Sequence, residues 1–310
     1  MEELAHNLNK NIPNSQIVEL PYYSTTFKGI VKNAIFAWKN QGDVNHIFSI
    51  TDGYLALFVK KPIITIHDLK SFSALSYFGR IIAKLLFILL PSIKCRTYTA
   101  ISSQTKKEFI NIAPWRKKNI HLIYNPVNPI FFNTTDKIGI TTPPTILHVG
   151  TALHKNLSNV IRAIDGLGYK LVIVGKLFEE QKLLLSTSNI DYENCYDITI
   201  DKLSKLYHDS DVISFPSSYE GFGMPVIEAN ASGVPIIAGD IPILHEIGNN
   251  AAYFVNPNDI KELRNGFIAI FKDSALRSHL ITKGRDNVKR FSMSAISSEY
   301  VKLHELLAKE

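Results

Sequence analysis

Residues 212–238, VISFPSSYEGFGMPVIEANASGVPIIA, constrain the fold more than any other stretch of the chain. Residues 212–215 form a short apolar run that suits a buried parallel strand. Residues 216–224, rich in Ser and Gly, read as a loop. Pro225 sits where a helix accepts proline, at its first position, where no N–H is needed. The helix runs to Gly233, suited to the left-handed stop just past a helix. Residues 234–238 then form a second buried strand. Such a strand–loop–helix–strand unit puts its loop at a strand's C-terminal end, where open α/β sheets bind ligands.

The loop is rich in binding groups. Gly221 and Gly223 let backbone N–H groups approach a ligand closely. With the following helix N-terminus, those groups make an anion site. Glu220 lies in the loop and Glu228 one turn into the helix. A carboxylate only accepts, and each can take two O–H donors. The vicinal diols of a sugar or a ribose are matching partners, so the loop fits a nucleotide-sugar. The plainer reading makes Glu220 a solvated loop residue and Glu228 an acid favoured by the helix dipole.

Glu220-Gly-Phe-Gly-Met-Pro-Val-Ile-Glu228-Ala resembles the E-x7-E signature of retaining GT-B glycosyltransferases of the family-four type, the glycosyl transferases group 1. The flanks Asp211-Val-Ile-Ser-Phe-Pro-Ser and Ala231-Ser-Gly-Val-Pro agree. The resemblance is sharp over 145–256 and diffuse over 43–127. It implies an α/β fold of the GT-B kind, with two Rossmann-like domains facing a central cleft. The donor would lie on the C-terminal domain and the acceptor on the N-terminal one. Glu228 would bind the ribose and Glu220 the donor sugar. Gly221, Phe222, Gly223 and Met224 would hold the sugar and diphosphate.

Two further segments resemble the family. Val149-Gly150-Thr151-Ala-Leu-His154-Lys155-Asn-Leu is similar to its pyrophosphate loop. Lys155 matches the phosphate-binding lysine, a mobile point charge, with Gly150 and Thr151 beside the donor. The family often has an arginine where Thr151 stands. His154 is a further donor, mostly neutral at pH 7, and the plain alternative for Lys155 is a solvated helix-start lysine. Ile64-Thr-Ile-His67-Asp68-Leu resembles the strand-end histidine segment of the acceptor domain. His67 would hydrogen-bond the donor sugar, or else be a satisfied core histidine. Asp68 reads as a cap, and His46 as a weaker strand-end candidate.

Asp209-Ser-Asp211 matches the DxD pattern of a different glycosyltransferase fold, where the acids follow a strand and hold a divalent cation through oxygen ligands. Here Asp211 precedes the strand, at the opposite end of the sheet. No metal and no cofactor are expected, only a nucleoside-diphosphate sugar as substrate. A Walker A loop and a full GxGxxG are missing, which weighs against an NTPase or a dehydrogenase.

The remaining pattern alternates short apolar strands with helices, the mark of parallel α/β sheets. Strands are expected at 16–20, 44–49, 62–67, 98–101 and 121–124, then at 145–150 and 169–175. The expected domains are an acceptor-side domain over 1–128, a linker over 129–144 and a nucleotide-sugar domain over 145–290. A helix at 291–310 would return to the first domain. The family opens with a strand and a Gly-rich loop, and the sequence Glu3-Leu-Ala-His-Asn-Leu resembles the helix after them. The first domain is therefore expected to lack its first strand, with further residues before Met1 in the gene product.

Two cysteines, Cys95 and Cys195, form no CxxC pair and no metal spacing. That argues against a disulfide framework and for a reducing, cytoplasmic setting. No apolar run reaches the ~20 residues of a spanning helix. Residues 1–140 hold 17 Lys and Arg against 8 Asp and Glu, a balance of +9, whereas the rest balance at −3. A basic half suits an anionic membrane surface or an anionic substrate, or is simply an unused surface. No signature of nucleic-acid binding accompanies it. The apolar-basic segment 80–96 points to peripheral contact with the inner face of a membrane.

The expected activity is transfer of a hexose, with retention, to a hydroxyl of a glycan or lipid-linked glycan, in surface polysaccharide synthesis. The alternatives are a degenerate GT-B subunit that binds a partner glycosyltransferase and a GT-B nucleotide-sugar epimerase.

Overall fold

A computed structural model describes the chain apart from residues 1, 25, 70–75, 133–138 and 310. The stretch 133–138 of the expected linker therefore lies outside the described residues. Contacts divide the chain into Met1–Pro126 with Met293–Glu310, and Val127–Ser292.

The first unit opens with helices α1 (Glu2–Asn11) and α2 (Phe27–Lys39). Thr26 caps α2 by accepting the Gly29 N–H at 3.1 Å, as a hydroxyl N-cap should. Four parallel strands follow in the spatial order β1 (Asn45–Ile47), β2 (Pro62–Ile66), β3 (Thr97–Ala100), β4 (Ile120–Leu122). Between β2 and β3 lie α3 (Tyr77–Lys84), a π turn over Leu85–Leu89 and α4 (Pro91–Lys94). Pro91 opens the short α4, where its missing N–H costs nothing. Helix α5 (Ser103–Ile112) is capped by Ser102, whose Oγ accepts the Thr105 N–H at 3.1 Å.

Strand β2 is buried along its whole length, as a central parallel strand requires. Its side chains alternate between two cores. Ile64 and Ile66 join Ala34, Ile88 and Phe109 on one face. On the other, Ile63 packs with Leu4 and Leu8 of α1.

Residues 16–20 were expected as a strand, and the structure corrects this. Ile17 and Val18 are exposed, and no ladder includes the stretch. A short apolar stretch needs a neighbouring strand to become a ladder, and none of the described residues offers one. Side chains hold the stretch that follows: buried Asn33 donates to Tyr22 O at 2.8 Å and accepts the Tyr22 N–H at 3.2 Å.

The second unit is a six-stranded parallel sheet in the order β10-β9-β8-β5-β6-β7. Its elements in chain order are β5 (Thr145–Val149), α6 (Leu157–Ile164), β6 (Lys170–Val174), α7 (Glu179–Thr187), β7 (Asp191–Cys195), α8 (Ile200–Asp209), β8 (Val212–Phe215), α9 (Met224–Ser232), β9 (Ile236–Gly239), α10 (Pro242–Gly248) and β10 (Tyr253–Val255). Helices α11 (Ile260–Lys272) and α12 (Ser274–Val288) complete it. Helix α9 starts with Met224, so Pro225 is its second residue, and Gly233 ends it in the left-handed region at φ 66°.

The chain ends in α13 (Met293–Lys309), which belongs to the first unit. Its Ile296, Tyr300, Leu303 and Leu307 lie in the α1 core. The Tyr300 hydroxyl approaches Thr65 and Thr99, and His304 faces His46 at 3.2 Å. His46 also bonds Thr65 at 2.7 Å. It therefore sits within β1 with partners on both ring nitrogens, not at a strand end.

Candidate active site

The six-stranded sheet has one topological switch point. The chain leaves β5 toward β6 and β7, then returns to build β8, β9 and β10 on the other side. Loops after β5 and β8 thus diverge from adjacent strands, and a crevice opens between them where α/β sheets bind ligands. The two motif segments occupy these two loops.

After β5, Gly150 adopts φ 95°, which a side chain rarely tolerates. A Cβ there would also stand 3.1–3.3 Å from the carbons of Lys155. The lysine stem runs over the glycine, so Gly150 is needed for conformation and for space. Thr151 is buried; its hydroxyl donates to Lys176 O at 2.7 Å, and its carbonyl accepts from buried Gln181 at 2.8 Å. Asn156, left-handed at φ 59°, donates to Pro216 O at 2.9 Å, and the Ser218 N–H donates to His154 O at 2.9 Å. These bonds tie the two loops together.

Lys155 Nζ lies 2.6 Å from Glu220 Oε1, with both side chains mostly buried, and 4.5 Å from the centre of the Phe215 ring. The proposed phosphate-binding cation and the proposed sugar-binding carboxylate are thus ion-paired. Gly223 takes φ 103° as the residue before α9. Gly221 is half-buried beside it, as is Met224 at the helix start. Phe222 turns inward, edge-on to Phe291 at 6.0 Å, which anchors the loop.

Glu228 is almost wholly buried on α9 and accepts from the Tyr207 hydroxyl of α8 at 2.7 Å. Burial pushes its carboxyl up to about 7, against the opposing pull of the Tyr207 hydrogen bond and of Lys155. Desolvation disfavours the charge, and the hydroxyl and lysine favour it. Beneath the loops His148 is fully buried on β5, 3.2 Å from Ser214 Oγ. Burial lowers it to about 3, so the imidazole is neutral.

His67 stands at the end of β2 in the first unit. Its Nε2 is buried with no hydrogen-bond partner among the described residues. Burial is the main cause that lowers it to about 4. An orphaned ring nitrogen is costly, which is a reason to expect a ligand contact there.

Asp209 pairs with Lys205 at 2.8 Å, and Asp211 accepts the Thr145 N–H at 2.8 Å at the opposite edge of the sheet. Among the described residues no group of three His, Cys, Asp or Glu is placed to hold a metal ion.

Residues 132–287 match the family described as Glycosyl transferases group 1. The chain belongs to the glycosyl transferases group 1 family. It is 30% identical over 215 residues to the O-antigen chain mannosyltransferase RfbU of Salmonella typhimurium, covering 66% of this chain and 59% of that protein. The chain thus spans about 60% of the length of the first curated relatives it matches. Among solved structures it resembles the sucrose-phosphate synthase of Thermosynechococcus elongatus, with TM-score 0.75, 20% identity, and 98% and 92% of the two chains covered. It also resembles Anabaena HepE in complex with UDP and glucose, with TM-score 0.76, 15% identity, and 90% and 81% covered. These likenesses show the GT-B fold of this group 1 chain.

Tyr207, Gln181, Asn156 and His148 were not anticipated as parts of the site. Tyr207 sits on the inner face of an amphipathic helix, where a tyrosine reads as core. Its partner lies 21 residues away on another helix, and no local spacing reveals such a pairing.

Proposed function

We propose that this group 1 chain transfers a hexose, with retention, from a nucleoside-diphosphate sugar to a hydroxyl of a glycan or lipid-linked glycan. The carrying observation is that Lys155, Glu220 and Glu228 converge on the two loops of the switch point. Lys155, the loop amides and the α9 N-terminus meet the diphosphate. Glu228 accepts the ribose hydroxyls, and Glu220 accepts those of the donor sugar. The acceptor oxygen bonds to the anomeric carbon on the face the nucleotide leaves, as the bond to phosphate breaks. The acceptor's proton passes to the leaving diphosphate, whose developing charge is met by Lys155. No protein nucleophile is used, and no metal is required.

Peripheral contact with an anionic membrane is part of the proposal. Phe27, Val31, Ile35 and Trp38 form an exposed stripe along α2, with Lys28, Lys32 and Lys39 beside it. Helix α3 exposes Phe78 and Ile82 next to Arg80 and Lys84. Apolar stripes edged by lysine suit a lipid interface. Among the described residues no helix is long and apolar enough to cross a membrane.

The test offers the purified chain a panel of nucleoside-diphosphate hexoses with glycan acceptors, and NMR reads the anomeric configuration of the product. An inverted product refutes retention. Epimerised donor without transfer favours the epimerase reading. Binding without turnover, even with the native acceptor, favours a degenerate subunit.

A further inference from the structure

The turn after β7 carries two side chains that neither the core nor the loops described above engage. Tyr196 is 61% exposed, and Asp197 is exposed with its backbone left-handed at φ 52°. No hydrogen bond or ion pair among the described residues involves the Asp197 carboxylate. The region is sparsely populated for residues other than glycine, although Asp and Asn tolerate it best. A strained, solvent-facing acid beside an exposed aromatic ring calls for an explanation.

Position supplies one. The Gly150 N–H donates to Val174 O at 2.8 Å, and the Gly175 N–H to Cys195 O at 2.7 Å. Strands β5, β6 and β7 therefore end level with one another. Tyr196 and Asp197 come directly after the last of these bonds, at the same edge as Gly150. Two strand spacings, about 10 Å, separate β7 from β5. That is the order of reach of a nucleoside from its phosphate to the far edge of its base. The Asn194 side chain donates to Ile173 O and Gly175 O, fixing this end of β7 to β6.

We propose that Tyr196 and Asp197 form the nucleobase subsite of the donor and that Asp197 selects guanine. The proposal rests on the donor-site reading above. A carboxylate offers two acceptors and no donor. Guanine presents two adjacent donors on its pairing edge, N1–H and the N2 amino group, which such a pair satisfies. Uracil places one N–H between two carbonyl oxygens, which a carboxylate repels. Adenine and cytosine set a bare ring nitrogen next to their amino group. Tyr196 supplies a stacking face indifferent to base identity. The donor class is thus a guanosine-diphosphate sugar.

Calorimetric titration of the full chain with GDP and with UDP tests this. GDP should bind roughly tenfold or more tighter, the discrimination of a good bidentate contact. Asp197→Asn tolerates the left-handed backbone but loses one acceptor, and Asp197→Gly fits the backbone best and loses both. Each should weaken GDP toward the affinity of UDP without weakening UDP. Tyr196→Ala should weaken both nucleotides alike, as should Lys155→Ala, which reports that the probe occupies the donor site. Equal affinities for GDP and UDP, a preference for UDP, or a preference for GDP that survives in both Asp197 variants overturns the guanine assignment alone. Binding of neither nucleotide overturns the donor-site reading and this inference with it.

Discussion

Replacing Tyr207 by Phe separates the electrostatics of Glu228 from the packing around it. The ring is fully buried and stands edge-on to Phe131 at 5.2 Å, and Phe keeps that contact. What is lost is the 2.7 Å hydrogen bond to Glu228 Oε2, which favours the carboxylate. A hydrogen bond to a charged group contributes about 1.5–3 kcal/mol, equivalent to roughly one to two pKa units. Glu228 titrates at about 7 in the intact protein, so the variant should titrate near ~8–9. At pH 7 the ionised fraction would fall from about one half to between ~1% and ~10%. If ribose hydroxyls bind the carboxylate, affinity for a nucleoside diphosphate at pH 7 should fall roughly 5- to 50-fold and recover at pH 9. Calorimetric titration between pH 6 and 9 reads this directly, with thermal melting as a check on folding. A flat pH profile in the parent protein, or an unchanged midpoint in the variant, refutes the assignment of Glu228 to the nucleotide.

Four further outcomes are expected. Glu220→Gln should abolish most turnover in a chain that still folds, with a lowered melting temperature because the mostly buried Lys155 loses its counter-charge, yet bind free nucleoside diphosphate as tightly or more tightly, because Lys155 loses its competing partner; weaker binding counts against this account. Gly150→Ala should impair donor binding by at least tenfold, since its Cβ would displace the Lys155 stem, and a kinetically normal variant would contradict it. Melting temperature should fall as pH drops from 6.5 toward 4, because burial depresses His67, His148 and His304 to about 4, 3 and 4. Unfolding lets each bind a proton, costing roughly 2 kcal/mol apiece at pH 5, while raised Glu228 gains stability over the same range and offsets about one of them; a melting temperature constant from pH 7 to 4.5 argues against the buried neutral imidazoles. Liposome sedimentation should show binding to anionic but not neutral vesicles at low salt, weakened by Trp38→Ala, and equal recovery with both lipids would remove the membrane contact.

The legible parts of the sequence were those whose signal is local. Residues 212–215 carry four apolar or small side chains in a row, and the structure buries all of them in β8. Gly233 declares a helix end through its backbone freedom. Strand β7 escaped notice because Asp-Tyr-Glu-Asn-Cys is polar. It lies at the sheet edge with its first three residues exposed, and only the ladder to β6 makes it a strand. Residues 16–20 failed in the opposite sense. Ile17, Val18 and Leu20 make a short apolar stretch, but a strand also requires a neighbour. The turn at Asp197 was invisible for a third reason. An exposed Tyr-Asp pair has no periodic signature, and its meaning comes from where β7 ends relative to β5.

The pairing of Lys155 with Glu220 adds a step that neither residue implies alone. Lys155, proposed to meet the diphosphate, is held by Glu220, proposed to meet the sugar, 2.6 Å away and largely screened from water. A nucleoside diphosphate draws Lys155 toward its phosphates and leaves Glu220 without its counter-charge. A mostly buried carboxylate stripped of its cation is costly, and hydroxyl donors are what it then needs. The sugar of an intact donor supplies them in the same binding event, whereas free nucleoside diphosphate does not. On the proposed roles, the exchange would favour the complete donor over its own leaving group and so help release the product nucleotide. Glu220→Gln removes the charge that creates this preference, so the ratio of donor to nucleoside-diphosphate affinity should fall in that variant. A ratio that stays constant would mean the ion pair opens without consequence for binding.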